Sequence, residues 1–439
     1  MDIKILFEPP SLIALIPMIV YLILAFKEKN STGATGVAII FGYFITRQSP
    51  ESIGKLFAKS LGSSLGIVGF IIILGSGLGH LMTKTGVSQT MVTWIINKIG
   101  VNNEKKAILA VMFSCVLICG LLGTLAGGCS IIAPILIPVV AAVGLTPSTV
   151  GAVFQTSGET GLIWGPFTGP VVTLLAITGL SYSKMMIWAA LPFGIIWLIS
   201  IYFLALKIQK KTRGKEKYDL TKELEEKFVP NQKQKRTTTL FCISFMVMVG
   251  YGLLTKQGTN YTIIVMLILS SIIGVAGGLG LDDTFKELGI GISKQAKLFL
   301  LFIFLNVFME LINIGGGFEA LSNLFMPLIN KGGKTTLVIV GSIVGAFGIN
   351  GAAVAQMQIT HDLFLPALKV TDVPMEMWAI ALIAASRITS SIYPGTNMIS
   401  PMGIARSNNI KAMLYAGWGV SMVVLIYIFI WSFVGMKLF

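Results

Sequence analysis

The stretch "QTSGETGLIWGPFTGP", residues 155–170, carries a carboxylate, four hydroxyls, a glutamine and glycines at 158, 161, 165 and 169, yet it lies inside one of the most apolar regions of the chain. A helix passing through it is expected to break, because proline lacks an amide donor and glycine lowers helix stability by roughly 1 kcal/mol relative to alanine. In lipid, unpaired backbone groups cost several kcal/mol each, so a break is tolerated only where protein or a water-filled cavity surrounds it. The stretch therefore predicts the lining of a site at membrane depth.

That this depth is a membrane follows from the surrounding sequence. Of 439 residues, 54% are apolar and 12% charged, and the mean hydropathy is +0.83; a soluble protein holds about a quarter of charged residues. Continuous apolar runs occupy 9–26, 61–82, 106–126, 185–206, 239–255, 260–280 and 411–437, most of them near the ~20 residues a helix needs to cross ~30 Å of hydrocarbon. They are apolar on every face, which excludes the alternating strands of a barrel. Run 9–26 is followed by "KEKN" without a small-residue cleavage pattern and reads as a retained first span. Cys115, Cys119, Cys129 and Cys242 lie in apolar stretches without paired spacing or histidine partners, and read as small core hydrophobes. The formal charge of +14 is concentrated in loops, the pattern of the positive-inside rule, and does not call for nucleic acid.

The segment 207–239 holds eleven of the thirty-three Lys and Arg residues and divides the chain nearly in half. It reads as a solvated cytoplasmic linker between a first transmembrane repeat, 1–206, and a second, 240–439. Laid over one another, the halves match in order: "WIINKIGVNNEKKAILAVMF" (94–113) with "PLINKGGKTTLVIVGSI" (327–343), "ILIPVVAAVGLTP" (135–147) with "LFLPALKVTDVP" (363–374), and "KMMIWAALP" (184–192) with "KAMLYAGWG" (411–419). An odd number of crossings per unit inverts the second relative to the first, an arrangement common among secondary transporters. The expected fold is an all-α polytopic membrane protein of two inverted-topology repeats.

The opening stretch then has a counterpart in "AASRITSSIYPGTNMISP" (384–401), also rich in Gly, Pro, Ser and Thr. An earlier pair of breaks, "GTLAGGCSIIAP" (123–134) and "GINGAAVAQMQI" (348–359), precedes short apolar runs ending at Pro138 and Pro366, and reads as re-entrant hairpins. Two hairpin tips and two broken transmembrane helices would converge near the midplane.

This layout resembles the ion transporter superfamily, which includes dicarboxylate–sodium symporters, gluconate permeases and related sodium–proton antiporters. Residues 59–86, "KSLGSSLGIVGFIIILGSGLGHLMTKTG", look most like the opening of gluconate permeases, and "NGAAVAQM" (350–357) like their second hairpin. The dicarboxylate branch carries Ser-Asn-Thr at its hairpin tips; Gly128, Cys129 and Ser130 stand there in the first half, and Asn350, Gln356 and Gln358 are the nearest polar residues in the second. The resemblance implies a small organic anion as substrate, alternating access by an elevator-like movement, and a homodimer.

Read from the residues, half-helices starting after Gly165 and Gly395 would aim amides and a positive dipole end at an anion. Ser130, Ser157, Thr168, Asn350, Arg387, Thr389, Ser390, Thr396 and Asn397 are the candidate substrate-binding residues, with Ser391 a further hydroxyl nearby; Gly128, Cys129, Glu159, Thr160, Gly351 and Gly395 are the candidates for ion coupling. Ionisable residues inside spans are expensive and functional by default. Glu159 and Arg387 occupy equivalent places: they pair structurally, or Arg387 holds a substrate carboxylate while Glu159 binds a coupling cation. Glu310 reads as structural, His361 and Asp362 as water-facing or a proton relay, and His80 as a span-end residue. The "GSGLG" at 75–79 lacks the flanking strand of a nucleotide loop and reads as a helix-packing surface. No nucleophile–base pair, metal cluster or ATP motif is present in the sequence, so neither an enzyme nor a cofactor is expected, and transport would draw on a sodium or proton gradient. The favoured expectation is symport of a small organic anion, plausibly a carboxylate, in a bacterial cytoplasmic membrane; the alternative is a sodium–proton antiporter of the same fold.

Overall fold

The computed structural model describes residues 6–27, 31–219, 228–347 and 353–439. The first half contains α1 (Ile16–Phe26), α2 (Ser31–Thr46), α3 (Pro50–Leu61), α4 (Ser64–Lys84), α5 (Val87–Ile99), α6 (Glu104–Leu122), α7 (Leu125–Ala142), α8 (Pro147–Trp164), α9 (Gly169–Thr178), α10 (Tyr182–Met185) and α11 (Leu191–Thr212), the last two joined by a wide turn over Met186–Ala190. The second contains α12 (Gln232–Leu254), α13 (Tyr261–Ala276), α14 (Leu281–Ser293), α15 (Ala296–Ile314), α16 (Gly317–Ala346), α17 (Ala353–Thr371), α18 (Met375–Ile392), α19 (Thr396–Ile404) and α20 (Ile410–Gly435). Seven described helices are long and apolar enough to cross a membrane, and the bent pair α8–α9 adds an eighth span. The fold is all-α and polytopic.

The repeat is visible in the packing. α2 lies on α15 as its counterpart α13 lies on α4; α9 lies on α17 as its counterpart α19 lies on α7. Each repeat thus completes itself with the other's elements. Equivalent segments run antiparallel where they meet: Lys59 reaches Glu310, Gly69 faces Phe302, and Gly77 faces Leu288, so numbers rise on one side and fall on the other. This is inverted topology. The α5–α6 junction turns through left-handed Gly100, and its counterpart is a non-helical kink at Gly333 inside α16.

In the first hairpin, α6 stops at left-handed Gly123 and α7 starts under Thr124, whose hydroxyl accepts from the Gly127 amide. The tip is these two residues rather than the whole of 123–134, because α7 runs unbroken through Pro134 and Pro138; prolines are tolerated in spans where neighbouring helices re-satisfy the backbone. Both ends of the hairpin meet one side chain: Gln209 Nε2 donates to Glu104 Oε1 and to the Gly144 carbonyl, each at 2.8 Å. The tip is level with the α8–α9 break, where Gly123 faces Thr168, and α9 continues for 10 residues beyond it, about 15 Å at helical rise. The hairpin is therefore re-entrant. The second tip, with Asn350 and Gly351, lies outside the described residues.

Three expectations need correction. The runs 9–26 and 260–280 give helices of only 11 and 16 residues, α1 and α13: a 3₁₀ turn at Leu12–Leu15 consumes the start of the first, and Gly277 followed by left-handed Gly278 stops the second. The quoted stretch stays helical from Gln155 to Trp164 and breaks only over Gly165–Thr168, at 42°, because Gly158 and Gly161 serve close packing on α6 rather than unwinding. The linker is not wholly solvated. After α11, Arg213 pairs with Glu104 and Tyr218 Oη donates to the Ala405 carbonyl at 3.0 Å. Between them Glu216 accepts from Ser148 N (3.1 Å), Ser148 Oγ (2.8 Å) and Asn409 Nδ2 (2.9 Å), capping α8 and tying it to the start of α20. Glu216 and Tyr218 are half-buried while Lys215 and Lys217 are exposed.

Candidate functional site

α8 and α18 are the most completely buried helices of their repeats, polar residues included. Glu159 and Arg387 sit on them at equivalent positions, both fully buried. They are within electrostatic reach of one another. Ser391 Oγ donates to Glu159 Oε2 at 3.4 Å, and Arg387 Nε donates to Ser386 Oγ at 3.3 Å. Glu159 Oε1, Arg387 Nη1 and Nη2, and Ser157 Oγ have no hydrogen-bond partner among the described residues. Leaving charged groups buried and incompletely paired costs several kcal/mol per ion, so a protein keeps such a set where those atoms have work with something other than the chain itself.

Around this pair the two broken helices are stitched together. Gln155 Nε2 donates across to the Ser390 carbonyl at 3.0 Å, and Asn397 Nδ2, from the half-helix α19, donates to Ser390 Oγ at 3.1 Å. Thr389 Oγ1 lies 2.6 Å from the Ala385 carbonyl, 2.8 Å from Ala346 O and 3.1 Å from Gly345 O, fastening α18 to the end of α16 beside the second hairpin. The equivalent joint in the first half is closed by bare backbone. A Cβ on Gly161 would stand 2.5 Å from the Val116 carbonyl and one on Gly120 2.9 Å from the Gly161 carbonyl. One joint uses a hydroxyl and the other the absence of a side chain.

The other candidates distribute as follows. Thr168 caps α9, accepting from Val171 N while its hydroxyl reaches the Leu162 and Gly165 carbonyls. Thr160 donates to the Thr156 carbonyl within its own helix. Gly128 packs on Cys119, and Cys129 Sγ faces the Phe154 carbonyl, both inside the α6–α7–α8 contact. Gly395 precedes α19 in extended conformation with no side-chain cap. Ser130 and Thr396 are exposed. The structure thus brings Glu159, Arg387, Ser390 and Asn397 together at the α8–α18 crossing; Ser157, two residues before Glu159, projects from a different face of α8, and Thr389, Thr168, Gly128 and Cys129 serve the surrounding frame. Gln155, one helical turn before Glu159, went unassigned in the sequence reading; its i, i+4 spacing from that carboxylate was the available signal.

Outside the centre, Glu310 pairs with Lys59 at 3.0 Å. His361 Nδ1 accepts from Trp378 Nε1 at 3.1 Å, and Asp362 accepts from Gln358 at 3.1 Å. His80 bridges Glu287 and Lys294 at 2.9 Å each, and Lys84 reaches the same Glu287. These hydrogen bonds and the neighbouring cations hold the Glu287 carboxyl below the usual glutamate range, the Lys84 bond contributing most. Among the described residues no three His, Cys, Asp or Glu side chains are grouped to hold a metal ion.

Comparison with known proteins adds three findings. The family profile described as "Tripartite ATP-independent periplasmic transporter, DctM component" matches residues 15–344. A gluconate permease of Bacillus licheniformis is 30% identical over 105 residues, which is 24% of this chain and 23% of that protein; the likeness is to about a quarter of its length. The crystal structure of the YdaH transporter of Alcanivorax borkumensis, described as having an unusual topology, superposes with a TM-score of 0.60 over 97% of this chain and 99% of that one, at 14% identity. That similarity is one of fold.

Proposed function

We propose, from the premise that this chain belongs to the DctM family of tripartite ATP-independent periplasmic transporter components, that it carries a small organic anion, a carboxylate, across the membrane together with sodium or protons. Arg387 is the anion clamp. Its two terminal nitrogens present a planar fork matched to the two oxygens of a carboxylate, and both are buried, charged and without a hydrogen-bond partner among the described residues. That single observation carries the reading. Glu159, its pseudo-symmetric partner, supplies the negative charge that keeps the empty site near neutrality and the oxygen that takes up the coupling cation. Ser390 and Asn397 orient the anion, and the uncapped start of α19 adds amide donors beside it.

Alternating access then requires the core of α6–α9 and α16–α19 to move against the outer helices, in the manner of an elevator, and the resemblance to ion transporter superfamily members supports a homodimeric frame for that movement. The relative named for gluconate supports a hydroxylated carboxylate among the first compounds to try. The test is uptake of radiolabelled gluconate, succinate and lactate into proteoliposomes under an inward sodium or proton gradient. Accumulation of one of them, lost in Arg387→Ala, is the expected result. If no carboxylate moves while sodium and protons exchange, and Glu159→Gln stops that exchange, the protein is an antiporter and the proposal fails.

A further inference from the structure

A cavity of about 760 Å³ opens at the end of the molecule opposite the linker, between α9–α10 on one side and α12–α13 on the other. α11 and α12 both have their basic ends at the linker, so by the positive-inside rule this is the outer face. The floor is the α8–α9 break itself, through Pro166 and Phe167. Phe167 rests edge-on against Phe245 of α12, with ring centroids 5.7 Å apart. Tyr182, in the wall, holds the break in place by donating to the Trp164 carbonyl at 2.6 Å. The rim carries Lys184, Lys256 and Thr259 and no carboxylate; Glu376, not part of the lining, lies 3.7 Å from Lys184. Lys256 has no such neighbour among the ion pairs of the described residues and is held in a left-handed turn (φ 52°) at the α12–α13 connection.

An apolar-floored cavity with a rim of one sign focuses counter-ions, because low-dielectric walls confine the field. The volume is within the range of small-molecule sites. We propose that this cavity is an outer antechamber that gathers carboxylates between Lys184 and Lys256 before they pass Phe167 toward Arg387. The inference rests on the reading of the protein as a carboxylate carrier, but its first test does not. Thr259→Cys, made with Cys242→Ala so that the remaining native thiols are the buried Cys115, Cys119 and Cys129, is labelled in membranes with the anionic 2-sulfonatoethyl methanethiosulfonate and with its cationic trimethylammonium analogue. The anionic reagent should be favoured, and the ratio of the two rates should fall about threefold to tenfold both in Lys256→Asn and on raising salt from about 0.05 M to about 0.5 M. Asparagine suits the left-handed backbone, so this change removes the charge without adding strain. A ratio unmoved by either change overturns the proposal. In uptake, Lys256→Asn should raise KM by a similar factor with kcat unchanged; an altered labelling ratio with unaltered KM means that the cavity does not feed the site, and also overturns it. If instead Arg387→Ala leaves uptake intact, the carboxylate-clamp reading fails while the labelling ratio still judges the cavity.

Discussion

A methyl group on Gly161 should unseat the first hairpin from its broken helix. The Cβ of Gly161→Ala would lie 2.5 Å from the Val116 carbonyl and 2.9 Å from the Gly120 amide nitrogen, both backbone atoms of α6. Backbone inside a helix cannot swing aside as a side chain does, so α6 and α8 must separate by about 0.9 Å to restore an ordinary 3.4 Å contact. A gap of that size forfeits a quarter to a half of the dispersion well at each affected contact, and overpacking of this kind costs about 1–3 kcal/mol. Alanine is intrinsically the better helix former by roughly 1 kcal/mol, which offsets part of the loss. Gly403→Ala in α19 is the control, because its Cβ meets nothing within 4 Å; it should be neutral or slightly stabilising. Thermal unfolding of the purified variants in one detergent measures the difference. If Gly161→Ala matches Gly403→Ala, the glycine is not there for close approach and the account of the joint is wrong.

Two further outcomes follow from the linker end of the molecule. Glu216→Ala removes the acceptor for the Ser148 amide and hydroxyl, and should lower stability by about 1 kcal/mol as an N-cap loss does while exposing the linker to trypsin at Lys215 and Lys217; unchanged cleavage would contradict the docking of the strap. Glu287 has a folded pKa below its unfolded value, so its contribution is complete above the ordinary glutamate range and is lost as pH falls through that range and below. The melting temperature of the wild type should therefore fall more steeply on acidification than that of Glu287→Gln, and parallel curves would refute the link.

Much of this architecture was legible in the sequence because lipid imposes few solutions: long apolar runs become helices, and Gly-Pro clusters at depth become breaks. The equivalence of Glu159 and Arg387 was readable from the duplicated pattern alone. Three things were not. Whether a glycine unwinds a helix or lets another approach depends on what lies opposite, so Gly158 and Gly161, which face Leu125 and Val116, could not be told from Gly165, where α8 ends. Whether a hydroxyl lines a site or fastens a frame depends on which carbonyl lies beside it, and Thr389 and Thr168 are spent on carbonyls. The inward turn of Glu216 required Ser148 and Asn409 to be neighbours, residues 261 positions apart in the chain, and no local pattern marks that.

The central claim is that the two terminal nitrogens of Arg387, which have no hydrogen-bond partner among the described residues, are the receptor for a carboxylate. It is tested most directly by the thermal stability of the purified protein against a panel of small carboxylates, each with and without sodium, since a ligand that binds the folded state raises its transition. The account predicts that at least one carboxylate raises the transition of the wild type, that Arg387→Ala abolishes the shift, and that Arg387→Lys, which keeps the charge and loses the fork, restores little of it. A carboxylate that stabilises wild type and Arg387→Ala equally would contradict the account.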